Sequence, residues 1–180
     1  MENIDPSSFR YCSKLESLYL NPLNETYRTD NNALVDVINK SILFYPQAAT
    51  AETYVIEDDI ESVFSGAFSG NTLLTKVVFG KNLHKIEGNA FENCTGIKKI
   101  MMNDRVDYID IRAFAGCTSI ESINIPASLQ YLGFGAFEGV EFYDQQGKII
   151  FNHNAAALRG TYFEKKDGRL TLISKSGFAI

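Results

Sequence analysis

Residues 94–116 read CTGIKKIMMNDRVDYIDIRAFAG, and the same 23-residue pattern precedes and follows them. Phe68, Phe91, Phe114 and Phe137 stand 23 residues apart, each preceded by Ala, at 67, 90, 113 and 136. Five residues before each Phe lies Val63, Ile86, Ile109 or Leu132, and three after it comes Asn71, Cys94, Cys117 or Val140. The triplets Leu74/Val77/Phe79, Ile97/Ile100/Met102 and Ile120/Ile123/Ile125 keep a 3-then-2 spacing, and Leu83, Val106 and Leu129 extend the register. A unit this short cannot bury its own apolar face, so units stack and equivalent side chains become ladders in one elongated core. The period-2 spacing inside each triplet predicts a short strand, with bends at Gly66, Gly88, Asn89 and Gly116. A four-stranded propeller blade would need nearly twice the length.

The start of the chain carries the same offsets. Ile4, Phe9, Cys12, Leu15, Leu18 and Leu20 reproduce the spacing of Ile86, Phe91, Cys94, Ile97, Ile100 and Met102, which predicts five Phe-centred rows beginning at Phe9. Phe9 and Phe68 are 59 residues apart, one period plus 36. The surplus contains ALVDV and SILFY, joined by Ile38, Asn39 and Lys40, and reads as an inserted hairpin within about residues 21–53. The register resumes at Tyr54 and Ile56. Met1 to Asn3 are too few to supply a strand before Ile4, which predicts that the natural protein extends upstream.

From residue 141 the period is lost. EFYD and KIIF flank a turn at Gln145-Gln146-Gly147, and TYFEK and RLTLI flank Lys166-Asp167-Gly168, which predicts two hairpins. Between them Asn154 is placed to cap a short helix over Ala155 to Leu158 that ends before Gly160. The expected organisation is therefore a mainly β, right-handed solenoid over 1–140 of about five 23-residue coils, with a small β-rich cap over 141–180 covering the final coil.

Read across FAGCTSIESINIPASLQYLGFGAFEG (114–139), the pattern "I..GAF.GC.SL..I.IP.SL..LG..AF" closely resembles the BspA-like leucine-rich repeats of microbial surface proteins. The resemblance covers roughly residues 3 to 140, and NETYRTDNNALVDVINKSILFYPQA (24–48) is similar to a hairpin that recurs in that family. Departures occur at Asn71, where Cys is usual, at Val140, and at Met101–Met102 in place of β-branched residues.

Composition limits the function. Over 180 residues, 45% hydrophobic and 22% charged is the balance of one globular domain. A net charge of −5 supplies no positive field for nucleic acid or anionic lipid. No apolar run approaches the roughly 20 residues of a membrane span, and MENIDPSSFRYCSKL has no apolar signal segment.

The chemical residues do not converge. Cys12, Cys94 and Cys117 share one repeat position, which points them into the core as inert thiols; a Cys94–Cys117 disulfide or a metal site are the alternatives, although no Cys-x-x-Cys or paired His spacing exists. His84 and His153 lack local partners for a catalytic arrangement, and His84 is expected to be exposed. Glu57-Asp58-Asp59 and the series Asp104, Asp107, Asp110 lack the spacing of a calcium loop and read as solvated turns. Gly133-Phe134-Gly135 is a bend, not a phosphate loop. Asn24, Asn39 and Asn93 each begin a glycosylation acceptor pattern, of which about two are expected by chance. No cofactor, metal or catalytic site is expected.

What remains is the strand face, where alternate residues point outward and line up across coils. One row is Val55, Val78, Met101 and Asn124, reaching Tyr19 if its strand stays in line. Beside it run Thr53, Lys76, Lys99 and Ser122, then Glu52, Thr75, Lys98 and Glu121. Val55, Val78 and Met101, flanked by Lys76 and Lys99, form the candidate interaction surface. The family resemblance implies a secreted or cell-surface protein whose partners are a host matrix protein or another cell-surface protein, or a glycan. The alternatives are a passive spacer or an accessory module in a larger surface protein.

Overall fold

The computed structural model describes residues 4–9 and 12–175. Its strands, in chain order, are β1 (Tyr27–Asp30), β2 (Ala33–Asp36), β3 (Ser41–Phe44), β4 (Thr53–Val55), β5 (Ser62–Val63), β6 (Lys76–Val78), β7 (Lys85–Ile86) and β8 (Lys99–Met101). They continue with β9 (Tyr108–Ile109), β10 (Ser122–Ile125), β11 (Tyr131–Leu132), β12 (Phe142–Tyr143), β13 (Ile149–Ile150), the single α-helix α1 (Ala155–Leu158) among the described residues, β14 (Thr161–Lys166) and β15 (Arg169–Lys175). Two sheets enclose the core. The first has the order β1-β2-β3-β5-β7-β9-β11, the second β13-β12-β15-β14-β10-β8-β6-β4.

The repeat is a coil that visits each sheet once. β3, β5, β7, β9 and β11 pair in parallel through Ile42, Val63, Ile86, Ile109 and Leu132. β4, β6, β8 and β10 do the same through Tyr54, Val77, Ile100 and Ile123. Between the sheets the aromatic rings stack with centroids 5.0, 4.8, 5.1 and 5.4 Å apart, from Tyr45 through Phe68, Phe91 and Phe114 to Phe137. The ring spacing nearly equals the roughly 4.8 Å between hydrogen-bonded strands, so backbone and side-chain ladders advance together. The backbone N–H of each ring residue from Tyr45 to Phe114 donates to the next coil's Ala carbonyl, at 2.7 to 2.8 Å.

The residue three after each Phe also ties two coils together. The Cys94 and Cys117 thiols each donate to the preceding coil's Phe carbonyl at 3.1 Å. Asn71 performs this task with its amide, donating to the Pro46 carbonyl at 3.1 Å while its oxygen accepts from the N–H groups of Leu73 and Leu74. Asn71 thus supplies a donor from the same fully buried position, to a carbonyl one residue further along the preceding coil than the one Cys94 and Cys117 reach. Glycine is demanded where coils touch: a Cβ on Gly96 would stand 2.3 Å from the Thr72 carbonyl oxygen.

The N-terminal part departs from the sequence expectation. Tyr45, 23 residues before Phe68, is the first rung, and Phe9 is not. β3 is accordingly a strand of the solenoid itself, and the expected hairpin is the last turn of a three-strand meander, β1-β2-β3, that continues the first sheet antiparallel. Ala33 and Val35 of β2 enter the main core. The place beside the first rung is thus already filled, and Ile4, Phe9, Leu15, Leu18 and Leu20 pack instead on the outside, against Tyr27, Leu34, Leu43 and Phe44. Phe9 stacks on Phe44 at 4.8 Å. No strand forms between Cys12 and Thr26, and Tyr19 is 86% exposed, so it does not extend the strand-face row. Met1 to Asn3 lie outside the described residues.

At the other end both expected hairpins form, β12 with β13 and β14 with β15, and Asn154 caps α1 by accepting from the Ala157 N–H at 3.2 Å. These strands join the second sheet through the antiparallel pairing of β14 with β10. Phe142 meets Phe137 edge-on, centroids 5.5 Å apart and rings at 89°, which ends the parallel stack, and Phe163 packs behind it.

Phe91 and Phe114 are fully buried between two rings each. Replacing either by Ala is expected to lower unfolding free energy by about 3–5 kcal/mol. Denaturant unfolding monitored by circular dichroism measures this, and a loss below about 1 kcal/mol would contradict the ladder's role.

Candidate interaction surface

The outer face of the second sheet is built by the same alternation that buries Tyr54, Val77, Ile100 and Ile123. The pairing brings Val55, Val78 and Met101 into one row on neighbouring strands, spanning about 10 Å. Thr53, Lys76, Lys99 and Ser122 form the row beside it. Val55 is 42% exposed, and Val78 and Met101 are half-buried. The Asn124 side chain closes the apolar row, holding the N–H and carbonyl of Met102 at 2.6 and 2.8 Å. Lys98 approaches Glu121 at 3.9 Å.

Two members of this face were not legible in the repeat. Tyr162 pairs with Asn124 and Glu164 with Ser122, so β14 prolongs both rows beyond the last parallel strand. The Tyr162 hydroxyl donates to Glu164. Their only sequence signal is the alternation in TYFEK, which marks a strand without saying which partner it takes.

The remaining candidate residues scatter. Cys94 and Cys117 are buried and unbonded to each other, while Cys12 is exposed, contrary to a shared inward direction. Burial pushes the Cys94 thiol well above its ordinary range and that of Cys117 up to about 12. His84 is exposed, with Nδ1 at 3.6 Å from Asp107. Glu57, Asp58 and Asp59 lie on an exposed turn, where Asp59 accepts two hydrogen bonds from Arg28, at 2.8 and 3.0 Å, and Asp58 meets Lys81 at 2.6 Å. Arg28 and Lys81 hold these two carboxyls below the usual aspartate range. Among the described residues no group of three His, Cys, Asp or Glu is placed to hold a metal ion, and no helix is long and apolar enough to cross a membrane.

Residues 36–167 match the BspA type leucine rich repeat region in six copies. The chain belongs to the BspA-type leucine-rich repeat family. Its coil superimposes with a TM-score of 0.57 on a leucine rich cell surface protein of Faecalibacterium prausnitzii A2-165, at 21% identity over 73% of this chain and 41% of that one. The pneumococcal vaccine antigen PcpA gives a TM-score of 0.50 at 12% identity over 86% of this chain and 49% of that one. Identities this low establish the shared fold. The BspA-type chain spans about two fifths of the first protein and about half of the second. No curated protein is a significant relative.

Two outcomes are expected from this geometry. A thiol reagent should modify Cys12 promptly in the native BspA-type module and reach Cys94 and Cys117 only after unfolding, which mass spectrometry of labelled peptides resolves. Asp59 has a depressed folded-state pKa, so its pairing with Arg28 stabilises the fold above the ordinary Asp value of about 3.9 and is lost as pH falls through the lower folded value. Arg28→Ala should therefore lower Tm at pH 7, and the gap from the parent should narrow as pH falls below about 3.9; a gap independent of pH would assign the loss to packing.

Proposed function

We propose that this module is a non-catalytic part of a secreted or cell-surface protein and binds a protein partner, from host matrix or another cell surface, across the outer face of the second sheet. The observation that carries this reading is the in-register row Val55–Val78–Met101, bordered by Lys76 and Lys99 on one flat face of parallel strands. Apolar area rimmed by charge is what a docking surface needs, because the apolar centre contributes affinity and the charged border contributes orientation. A rigid solenoid presents such a face without ordering cost on binding. Membership in the BspA-type family and the cell-surface description of the Faecalibacterium protein support the location.

A second reading, a passive spacer within a longer surface protein, is favoured by the unbroken ring stack, which stiffens the rod. Binding to immobilised matrix and cell-surface proteins, measured beside a Val78→Glu/Met101→Glu variant of confirmed fold, separates the two. Loss of binding by at least tenfold in the variant supports the strand face; binding unchanged moves the site elsewhere, and no binding by the parent protein favours the spacer.

A further inference from the structure

The bends that follow the strands of the first sheet change character along the rod. One column of equivalent residues runs Ser65, Gly88, Ile111, Phe134, and the next runs Gly66, Asn89, Arg112, Gly135. In the later coils this surface is filled: Ile111 lies over Gly88, where a Cβ would stand 3.1 Å from its Cγ2, and Arg112 bridges Glu92 and Glu138. In the earlier coils the residues are small, and a hollow of about 350 Å³ opens. Pro6 and Phe9 of the displaced N-terminal segment, together with Leu43 and Phe44, give it an apolar lining.

The rest of the side-chain lining is mainly polar and uncharged. It consists of amides and hydroxyls, from Gln47, Ser65, Ser69, Asn89 and Asn93. Gln47 is fixed by donating its amide to the Ser69 carbonyl at 2.8 Å, which leaves its side-chain oxygen as a positioned acceptor. Asn89 donates to Glu92 at 2.9 Å, and the one carboxylate at the rim, that of Glu92, is paired with Arg112 at 2.8 Å.

We propose that this hollow binds a neutral saccharide of about one or two rings. A pyranose has one face of C–H groups and a rim of hydroxyls, so it matches a cavity with an apolar side and an amide-and-hydroxyl side. Anions are disfavoured because the adjacent cation, Arg112, is already held by two carboxylates. An extended peptide is disfavoured because the hollow is bordered by bends, whose backbone N–H groups are spent on neighbouring coils, and not by an open strand edge. The volume is at the lower end of small-molecule sites, suited to a sugar end and not to a long chain in cross-section.

The test uses lactose, mannobiose and N,N′-diacetylchitobiose as probes, followed by saturation-transfer NMR and calorimetry on the whole chain. Ser65→Phe fills the hollow with the ring that the same column carries three coils later at Phe134, and Gln47→Ala removes the positioned acceptor without adding bulk. Circular dichroism confirms that both remain folded. The expected result is binding of at least one probe with a Kd below about 1 mM, weakened at least tenfold in both variants and unaffected by Val78→Glu on the strand face. Absence of binding by all three probes at that concentration, or binding indifferent to Ser65→Phe and Gln47→Ala, would overturn the assignment.

Discussion

The near-equality of two distances organises this molecule. Hydrogen-bonded strands stand about 4.8 Å apart, and stacked aromatic rings settle at nearly the same separation. A coil whose ring residue recurs every 23 positions satisfies both at once, so the backbone ladders of two sheets and the ring ladder between them share one register from Tyr45 to Phe137. Everything else adapts to that register. Gly96 is needed because the coils approach within backbone contact, and Asn71, Cys94 and Cys117 are needed because the turn carbonyls left inside must find a donor.

A stack of identical rungs has no natural end, and the two termini solve this differently. At the C-terminal end Phe142 turns edge-on to Phe137, and β14 pairs antiparallel with β10, which stops the parallel ladder in the second sheet. At the N-terminal end the meander β1-β2-β3 reverses strand direction in the first sheet and lays Ala33 and Val35 over the core. Both devices exchange a repeating contact for a non-repeating one.

The surfaces follow from the same geometry. Because equivalent residues align, a change at one position becomes a stripe or a depression running along the rod. The second sheet displays Val55, Val78 and Met101 as a stripe, and the bends beside the first sheet pass from small residues to Ile111, Arg112 and Phe134, leaving a depression near the N-terminal segment. A solenoid of this kind can hold two unrelated surfaces on one core, since neither face contributes to the ring stack.

The period, the strand positions, the inward and outward alternation and the tail hairpins were legible in the sequence, since each depends on local spacing that 23-residue repetition amplifies. The strand-face row was legible for the same reason: parallel in-register pairing of equal-length coils places residues 23 apart side by side. Where the coil began was not legible. Phe9 and its neighbours carry repeat-like offsets, yet Tyr45 takes the first rung, because one polar hydroxyl does not prevent a tyrosine ring from stacking and because β2 already occupies the adjacent place in the sheet. By itself the sequence determined the repeating coil and which side chains share a face. Only the tertiary structure decided how the coil starts and stops, which partners β14 takes, and where a hollow opens, because those depend on competition among non-local contacts that spacing along the chain does not encode.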